Sequence, residues 1–438
     1  MQSTAGLVDI SFPQGIGYGF DKDVHDIKLQ TDGKILISGD FEHYDYNGSI
    51  FISPYFLRLN TDGTYDSTFD ITVGSSGFNQ SVRTIHVQTD GKILAGGLFT
   101  QLTRNGVTYN VNRIIRFNID GTVDNTFVSG LGFNDDVLKI EVLNNNKIIV
   151  VGRFTQYDGN SYNRVVRLNS DGSIDMTFVI GTGIDGVPPA NYVNDVIKQP
   201  DGKLILVGHF ELYNGNPVSC VVRILSDGGI DTTFNSGTGI NGLLTSVGIQ
   251  SSGHIILGGL FTEYNGVNLT NGNIVRINSD GSFSNSFRYG LNDVVVSILI
   301  QSDNKIIVGG SFNRYYTSPT DYISAKRLIK FLADTSLDGN FYLDPNYDDV
   351  FLALALTPND GYLFVGGDTN YPPANHFSKL YNEALITVSA NTEYFMCLNC
   401  SGTTNTVSVP HAIYSDGSGR NIVQLNTVAL GGPDGLYN

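Results

Sequence analysis

Four aspartates stand before short apolar runs in nearly the same words: Asp23 in KDV, Asp136 in DDV, Asp293 in NDV and Asp349 in a second DDV. Carboxylates repeated at one place hold a cation or a hydroxylated ligand when the fold gathers them around a common mouth. They are equally read as solvated loop acids, because acidic loops are common in a chain of net charge −16. Tyrosine recurs too, three residues after a Gly-x-Phe mark, at Tyr44, Tyr157, Tyr213, Tyr264 and Tyr315. Its ring suits sugar stacking and rigid contact, yet a residue copied at one register from unit to unit is more often a packing element. Tyr44, Tyr46, Asn47, Tyr315 and Tyr316 join the four aspartates as the candidate ligand-binding set.

Other chemistry is weaker. Arg58, Arg116, Arg167, Arg223 and Arg276, with Lys330 and Lys379, share one position, and Asp66, Asp124, Asp175 and Asp231 stand a hairpin away. A basic ring for an anion is one reading; cross-strand pairing is the favoured one. Strings such as DGSID resemble calcium loops but lack the bidentate Glu that closes them, so hairpin turns explain them better. Cys397 and Cys400 have half the spacing of a zinc site, with only His411 nearby, and Cys220 lies in an apolar run. No metal, cofactor or catalytic arrangement of nucleophile, His and Asp is expected.

The elements that must position these residues are strands. With 51 Gly, 48 Tyr plus Phe, no Trp and only 26 Lys plus Arg in 438 residues, the chain is expected to be all-β. No apolar run is long enough for a spanning helix, and the acidic charge argues against nucleic acid, so neither membrane insertion nor nucleic-acid binding is expected. QTDGKILAGGLF recurs, in variants, seven times, with its last Phe or its equivalent at 41, 99, 154, 210, 261, 312 and 369. A second run, such as VVRLNSDGSIDMTF, follows in most units. Asp-Gly, Asn-Asn and Asp-Asn pairs join the first two strands, residues that accept positive φ in tight hairpins. Each unit therefore reads as four short strands, a propeller blade, over about 21–78, 79–133, 134–189, 190–240, 241–291, 292–343 and 344–382. The last unit breaks off after FSKLYN, and its missing strand is the VDISF at the start of the chain. Residues 6–17 are expected to complete it, giving a seven-bladed β-propeller closed by the N-terminal strand across 1–382, and 383–438 a small C-terminal β module or attachment arm.

Quoted together, DGKILAGG and RLNSDGSIDMTF resemble the delta-60 repeats. That resemblance implies a propeller and a habit of occurring in surface or extracellular proteins of bacteria and their phages; it implies no shared reaction. Loop length varies on one face only, in EHYDYNGSIFISPY, NRYYTSPTDYISA and the 181–195 connection, and recognition is placed there. The start, MQSTAG, shows no Sec-type leader. The expectation is a non-enzymatic phage virion component, in tail or fibre, whose loop face meets a host-surface glycan or a neighbouring virion protein and whose residues 383–438 bind other virion or surface proteins. A bacterial cell-surface adhesion propeller and a glycan-active enzyme are the alternatives.

Overall fold

The apolar runs and their hairpin dipeptides become seven antiparallel sheets of three strands each, built to one plan. The computed structural model describes residues 5–9, 12, 19–69, 77–104, 106–186, 191–269, 271–284, 287, 289–341, 343, 350–368 and 377–383, and the strands at 386–389, 413–415 and 420–423. In the first sheet Val24–Leu29 pairs with Ile35–Gly39, and that strand with Phe56–Leu59. The first strands of the others are Val82–Val87, Val137–Val142, Tyr192–Lys198, Leu243–Ile249, Val295–Ile300 and Val350–Leu356. The turns after them take positive φ at Gly33 (83°), Asn146 (60°), Asn304 (68°) and Asp360 (55°), the conformation their residue types tolerate.

The middle strands of the first three sheets are buried along their whole length, because both faces meet a neighbouring sheet; hence unbroken apolar runs rather than alternation. Seven core clusters result, one at each junction. Leu36 and Phe56 of the first sheet pack with Val82, Ile85 and Ile93 of the second. Ala353, Ala355 and Phe364 of the seventh pack with Val24, Ile27 and Ile37 of the first. Each large aliphatic or aromatic side chain buried there contributes roughly 1.5–3 kcal/mol. At Gly96 a Cβ would come within 2.5 Å of Val137 Cγ1, so the second and third sheets can approach this closely only over a bare backbone.

The favoured reading of the arginines holds for four of them, and the pairs are buried. Arg58 donates from Nε to Asp66 Oδ2 at 2.7 Å, lies 4.2 Å over the Phe69 ring, and reaches Ile119 O in the next sheet's turn at 2.7 Å. Arg116–Asp124, Arg167–Asp175 and Arg223–Asp231 repeat the pair at 2.7, 2.7 and 2.8 Å. Their second nitrogens reach the carbonyls of Ser170, Ser226 and Ser279, again one sheet on. Each clasp thus fastens a sheet to its successor. Burial alone would raise the carboxyls of these aspartates; lysine, threonine and arginine donors instead hold them well below the usual range.

The expected fourth strands shrink to single bridges, such as Leu59 to Tyr65 and Leu168 to Ile174. The reason is the same aspartate: Asp66 Oδ1 accepts from both the amide and the hydroxyl of Thr68, at 3.0 and 2.6 Å, which bends the chain out of the ladder. On the seventh sheet that place is taken by the N-terminus. Val8 bridges Leu380, Asp9 N donates to Lys379 O at 2.8 Å, and Lys379 Nζ meets Asp9 Oδ2 at 2.8 Å.

Beyond the seven sheets, Ile386–Ser389, Arg420–Val423 and Ile413–Ser415 form a separate three-stranded sheet with Arg420–Val423 in the middle. Cys397, Cys400 and His411 lie outside the described residues. Cys220 is a buried thiol whose ionisation burial pushes up. Among the described residues no helix is long and apolar enough to cross a membrane.

Candidate functional site

The structure divides the predicted tyrosines. Tyr44, Tyr157, Tyr213 and Tyr264 are at most 2% exposed. Their hydroxyls donate to the turn carbonyls of Gly63, Gly172, Gly228 and Gly281. They bolt the stretch after the second strand to the turn after the third, so Tyr44 is a core residue rather than a ligand contact. Tyr315 is half-buried, with its ring 5.1 Å from that of Phe331. Tyr46 is half-buried beside Tyr44, and Asn47 is exposed at a hairpin tip with φ of 49°. Tyr316 lies 5.8 Å from the exposed Tyr322.

Two of the three segments read as variable loops, those around 43–52 and 314–324, are ordered hairpins, whereas in the 181–195 connection Ile184–Asp185 pairs with Leu212–Tyr213 and 187–190 lie outside the described residues. His43–Tyr46 pairs with Ser49–Ile52, and Gln101–Arg104 with Val107–Asn110, a second long hairpin that loop length did not single out. Each is stapled by the connection arriving from the previous sheet, as Gly19–Phe20 and Gly77–Phe78 pair against them. Asn79, Asn134, Asn241 and Asn292 then accept two successive hairpin amides each, near 3.0 Å. Recurrence of Asn after an apolar residue, in GFN, GIN and GLN, is the sequence signal for this staple.

The aspartates do not share one register. Asp23 and Asp136 directly precede Val24 and Val137, which open their ladders opposite Gly39 and Gly152; the matching residue in the sixth sheet is Val295, opposite Gly310, so Asp293 sits one residue further out. Asp349 lies outside the described residues. Asp136 is half-buried, and burial, with Asp135 beside it, raises its carboxyl pKa; Arg153 Nε stands 3.9 Å away.

Side chains are gathered instead in a central cavity of about 450 Å³, lined by the first strands of all seven sheets. Each of those strands carries a bulge after its first or second ladder residue, between Val24 and Asp26 in the first sheet and between Val193 and Asp195 in the fourth. A bulge turns an extra side chain toward one face. Sheets one to four thereby line the cavity with His25, Asp26, Lys28, Arg83, Lys139, Glu141 and Asp195, whereas sheets five to seven contribute Thr, Ser and aliphatics. Sequence reasoning missed this set because it sought repeated residues. The signal was a contrast, charge in VHDIKL, VRTIHV, VLKIEV and VNDVIK against none in LLTSVGI, VVSILI and VFLALAL.

Electrostatics tie these groups together across sheets. Asp26 Oδ2 accepts Ile85 N from the second sheet at 2.8 Å. Asp195 Oδ2 accepts Val247 N from the fifth at 3.1 Å, while its other oxygen meets Lys139 Nζ at 3.3 Å. Asp195 makes Lys139 hold its proton more firmly than an ordinary lysine, outweighing burial. His86 is pushed down to about 4 by burial and then by Lys28 and Lys139, so it is neutral at pH 7. Burial raises the Glu141 carboxyl. At the hairpin end of the cavity, His25 meets Asp40 Oδ2 at 3.0 Å and bonds Arg83, and the His25 contact draws the Asp40 carboxyl far below its ordinary value. Such a wall offers ionic and hydrogen-bonding contact to a guest. Among the described residues no group of His, Cys, Asp and Glu is placed to hold a metal ion.

Segments 30–69, 88–127, 143–178, 199–234, 250–287 and 301–341 match the family model described as a domain of unknown function (DUF5122) beta-propeller. No curated protein matches the chain. Among solved structures, the WD40 beta propeller domain of Doa1 is similar over 84% of this chain and 96% of its own, with TM-score 0.50 at 13% identity. A streptogramin B lyase covers 84% of this chain and 95% of its own, with TM-score 0.48 at 14% identity. The Doa1 likeness shows the all-β propeller fold.

Proposed function

The chain belongs to the DUF5122 beta-propeller family, and on that premise we propose that it is a non-enzymatic structural and binding protein, a seven-bladed ring closed by residues 6–9 that offers its hairpin face to a partner. Apolar surface on the hairpins carries the reading. Ile50 and Ile52 are 65% and 63% exposed, Val107 is 52% and Tyr322 49%, all on strands held by ladder bonds. Branched aliphatics held in water on an ordered hairpin do nothing for the core and suit a contact surface. The partner inferred is a neighbouring protein of a phage virion, with residues 383–438 as the attachment arm; a host-surface glycan over Tyr46, Asn47 and Tyr316 is the alternative occupant.

Replacing Ile50, Ile52 and Val107 together by Asp should leave the melting temperature within about 3 °C and abolish incorporation into purified particles, read by mass spectrometry. Unchanged incorporation of that variant sinks the reading. Ring closure has its own test. Deleting residues 1–14 removes Asp9 from Lys379 and should cost more than about 3 kcal/mol; a truncated chain as stable as the full one refutes the closure.

A further inference from the structure

The two walls of the central cavity differ in what they leave unused. On the charged wall Asp26 and Asp195 are already engaged, while Glu141 stands 4.0 Å from His86 and 3.9 Å from Lys198. Asp26 accepts Ile27 N at 2.9 Å and Ile85 N at 2.8 Å. Asp195 accepts Val196 N at 2.9 Å, Val247 N at 3.1 Å and the Ser246 hydroxyl at 3.3 Å. Each aspartate therefore serves mainly to cap backbone amides of its own and the neighbouring sheet.

The lysines are in the opposite position. Lys139 meets one of those engaged oxygens at 3.3 Å, Lys28 meets Asp26 Oδ1 at 2.5 Å, and both side chains keep 33% of their accessible surface. An ammonium has three donors, so each retains hydrogen-bonding capacity as well as charge. Both act on His86, which stands on the second sheet between theirs and is held neutral partly by them. The carboxylates of Asp26, Glu141 and Asp195 balance Lys28, Arg83 and Lys139 in charge along this wall, so what it holds in surplus is ammonium donors, inside a chain whose overall charge is −16. At physiological salt the acidic exterior is screened beyond about 8 Å, so the enclosed groups set the local preference.

Opposite stand Ile298, Ile300, Leu352 and Leu354, with no charged residue among the lining of sheets five to seven. Ile298 and Ile300 seat directly against the fifth sheet because Gly248 has no side chain; a Cβ there would come within 2.8 Å of Ile300 Cγ1. A guest satisfied by both walls has an anionic end and an apolar body, and a volume of about 450 Å³ is ample for one of modest size.

We propose that the central cavity is a binding site for a small aliphatic monocarboxylate, its carboxylate held by Lys28 and Lys139 and its chain laid on Ile298, Ile300, Leu352 and Leu354. The site is separate from the hairpin face and independent of what that face contacts.

Octanoate is the probe, titrated into the full chain at pH 7 by calorimetry beside octan-1-ol, octylammonium and acetate. Octanoate should bind saturably at one site, at least about tenfold more tightly than any of the other three, since each lacks the charge, has the wrong sign or lacks the chain. The Lys28→Met, Lys139→Met double variant should lose at least about tenfold in octanoate affinity while keeping the far-ultraviolet circular dichroism of the parent. Absence of saturable octanoate binding, equal binding of octylammonium or acetate, or full affinity in the folded double variant would each overturn the proposal. If the double variant does not fold, the four-probe series on the parent chain decides alone.

Discussion

On the outer flank of the sheets Arg58, Arg116, Arg167 and Arg223 make one set of contacts four times over: the same carboxylate, the same aromatic ring, the same carbonyl one sheet on. On the first strands a single register, five of whose residues line the cavity, is occupied by Lys28, His86, Glu141, Ile197, Gly248, Leu299 and Ala355, a different residue in every sheet. Both positions are set by the same ladders, so backbone geometry is not the difference. Outside, every unit faces the same problem, fastening itself to the next, and one solution is copied. Inside, the strands face a shared space in which no two need do the same work. In a repeat protein, then, sameness marks architecture and departure from it marks the place to look for specificity.

That contrast can be broken by experiment. The largest effect is expected outside. Arg116→Ala leaves Asp124 buried, keeping only Lys92 as a cation, and should cost about 3–5 kcal/mol in urea unfolding. Arg276→Ala should cost about 1 kcal/mol, because Ser284 takes the aspartate's place and, among the described residues, the guanidinium's hydrogen bond is to Ala333 O at 3.2 Å. Equal losses would show that the carboxylate is not what makes the clasp.

Next comes the register of Lys28 and Glu141 on the first strands, through pH. His86 titrates near 4 in the folded chain and near 6.5 when unfolded, so the unfolded state binds the extra proton between those values and stability falls as pH drops through that window. The loss approaches roughly 3 kcal/mol below pH 4. Glu141, 4.0 Å from His86, has a raised pKa and opposes it, losing stability as pH rises, while Lys28, Lys139 and Asp26 complete the groups acting on the imidazole. Comparing the parent with His86→Leu cancels the shared terms, and the variant should lose the fall between pH 6.5 and 4. An unchanged profile would mean that His86 is not held neutral by its neighbours.

Smaller still is Tyr213→Phe, which removes one hydroxyl bond to Gly228 O and should cost about 1 kcal/mol. Lys28→Met alone should move stability by less than about 1 kcal/mol, since its ion pair is partly solvated. A large loss there would make the inner wall as structural as the outer flank.

Much of the architecture was legible in the sequence because it is repeated. Asp-Gly and Asn-Asn hairpins, buried middle strands and the Arg–Asp spacing appear in unit after unit, and VDISF at the start matches SIDMTF because Asp9 takes on Lys379 the role Asp66 takes on Arg58. The fourth strand was overread, since apolar alternation in SIDMTF does not reveal that Asp175 captures the amide of Thr177 and turns the chain away. The site was less legible still. Asp23 and Asp293 look alike in KDV and NDV, but only pairing across the ladder shows that Val295, not Val294, corresponds to Val24. Tyr44 advertised a binding ring and proved a bolt, because sequence shows the residue but not the carbonyl that receives its hydroxyl.

The bulge that opens every first strand has a further consequence for how such a chain can change over generations. By setting an extra side chain toward the lumen without altering the ladder that follows, as at His25 between Val24 and Asp26, it separates the heritable plan of a unit from what that unit displays inward. A duplicated segment arrives able to fold at once, and its lumenal letters are then free to drift one sheet at a time.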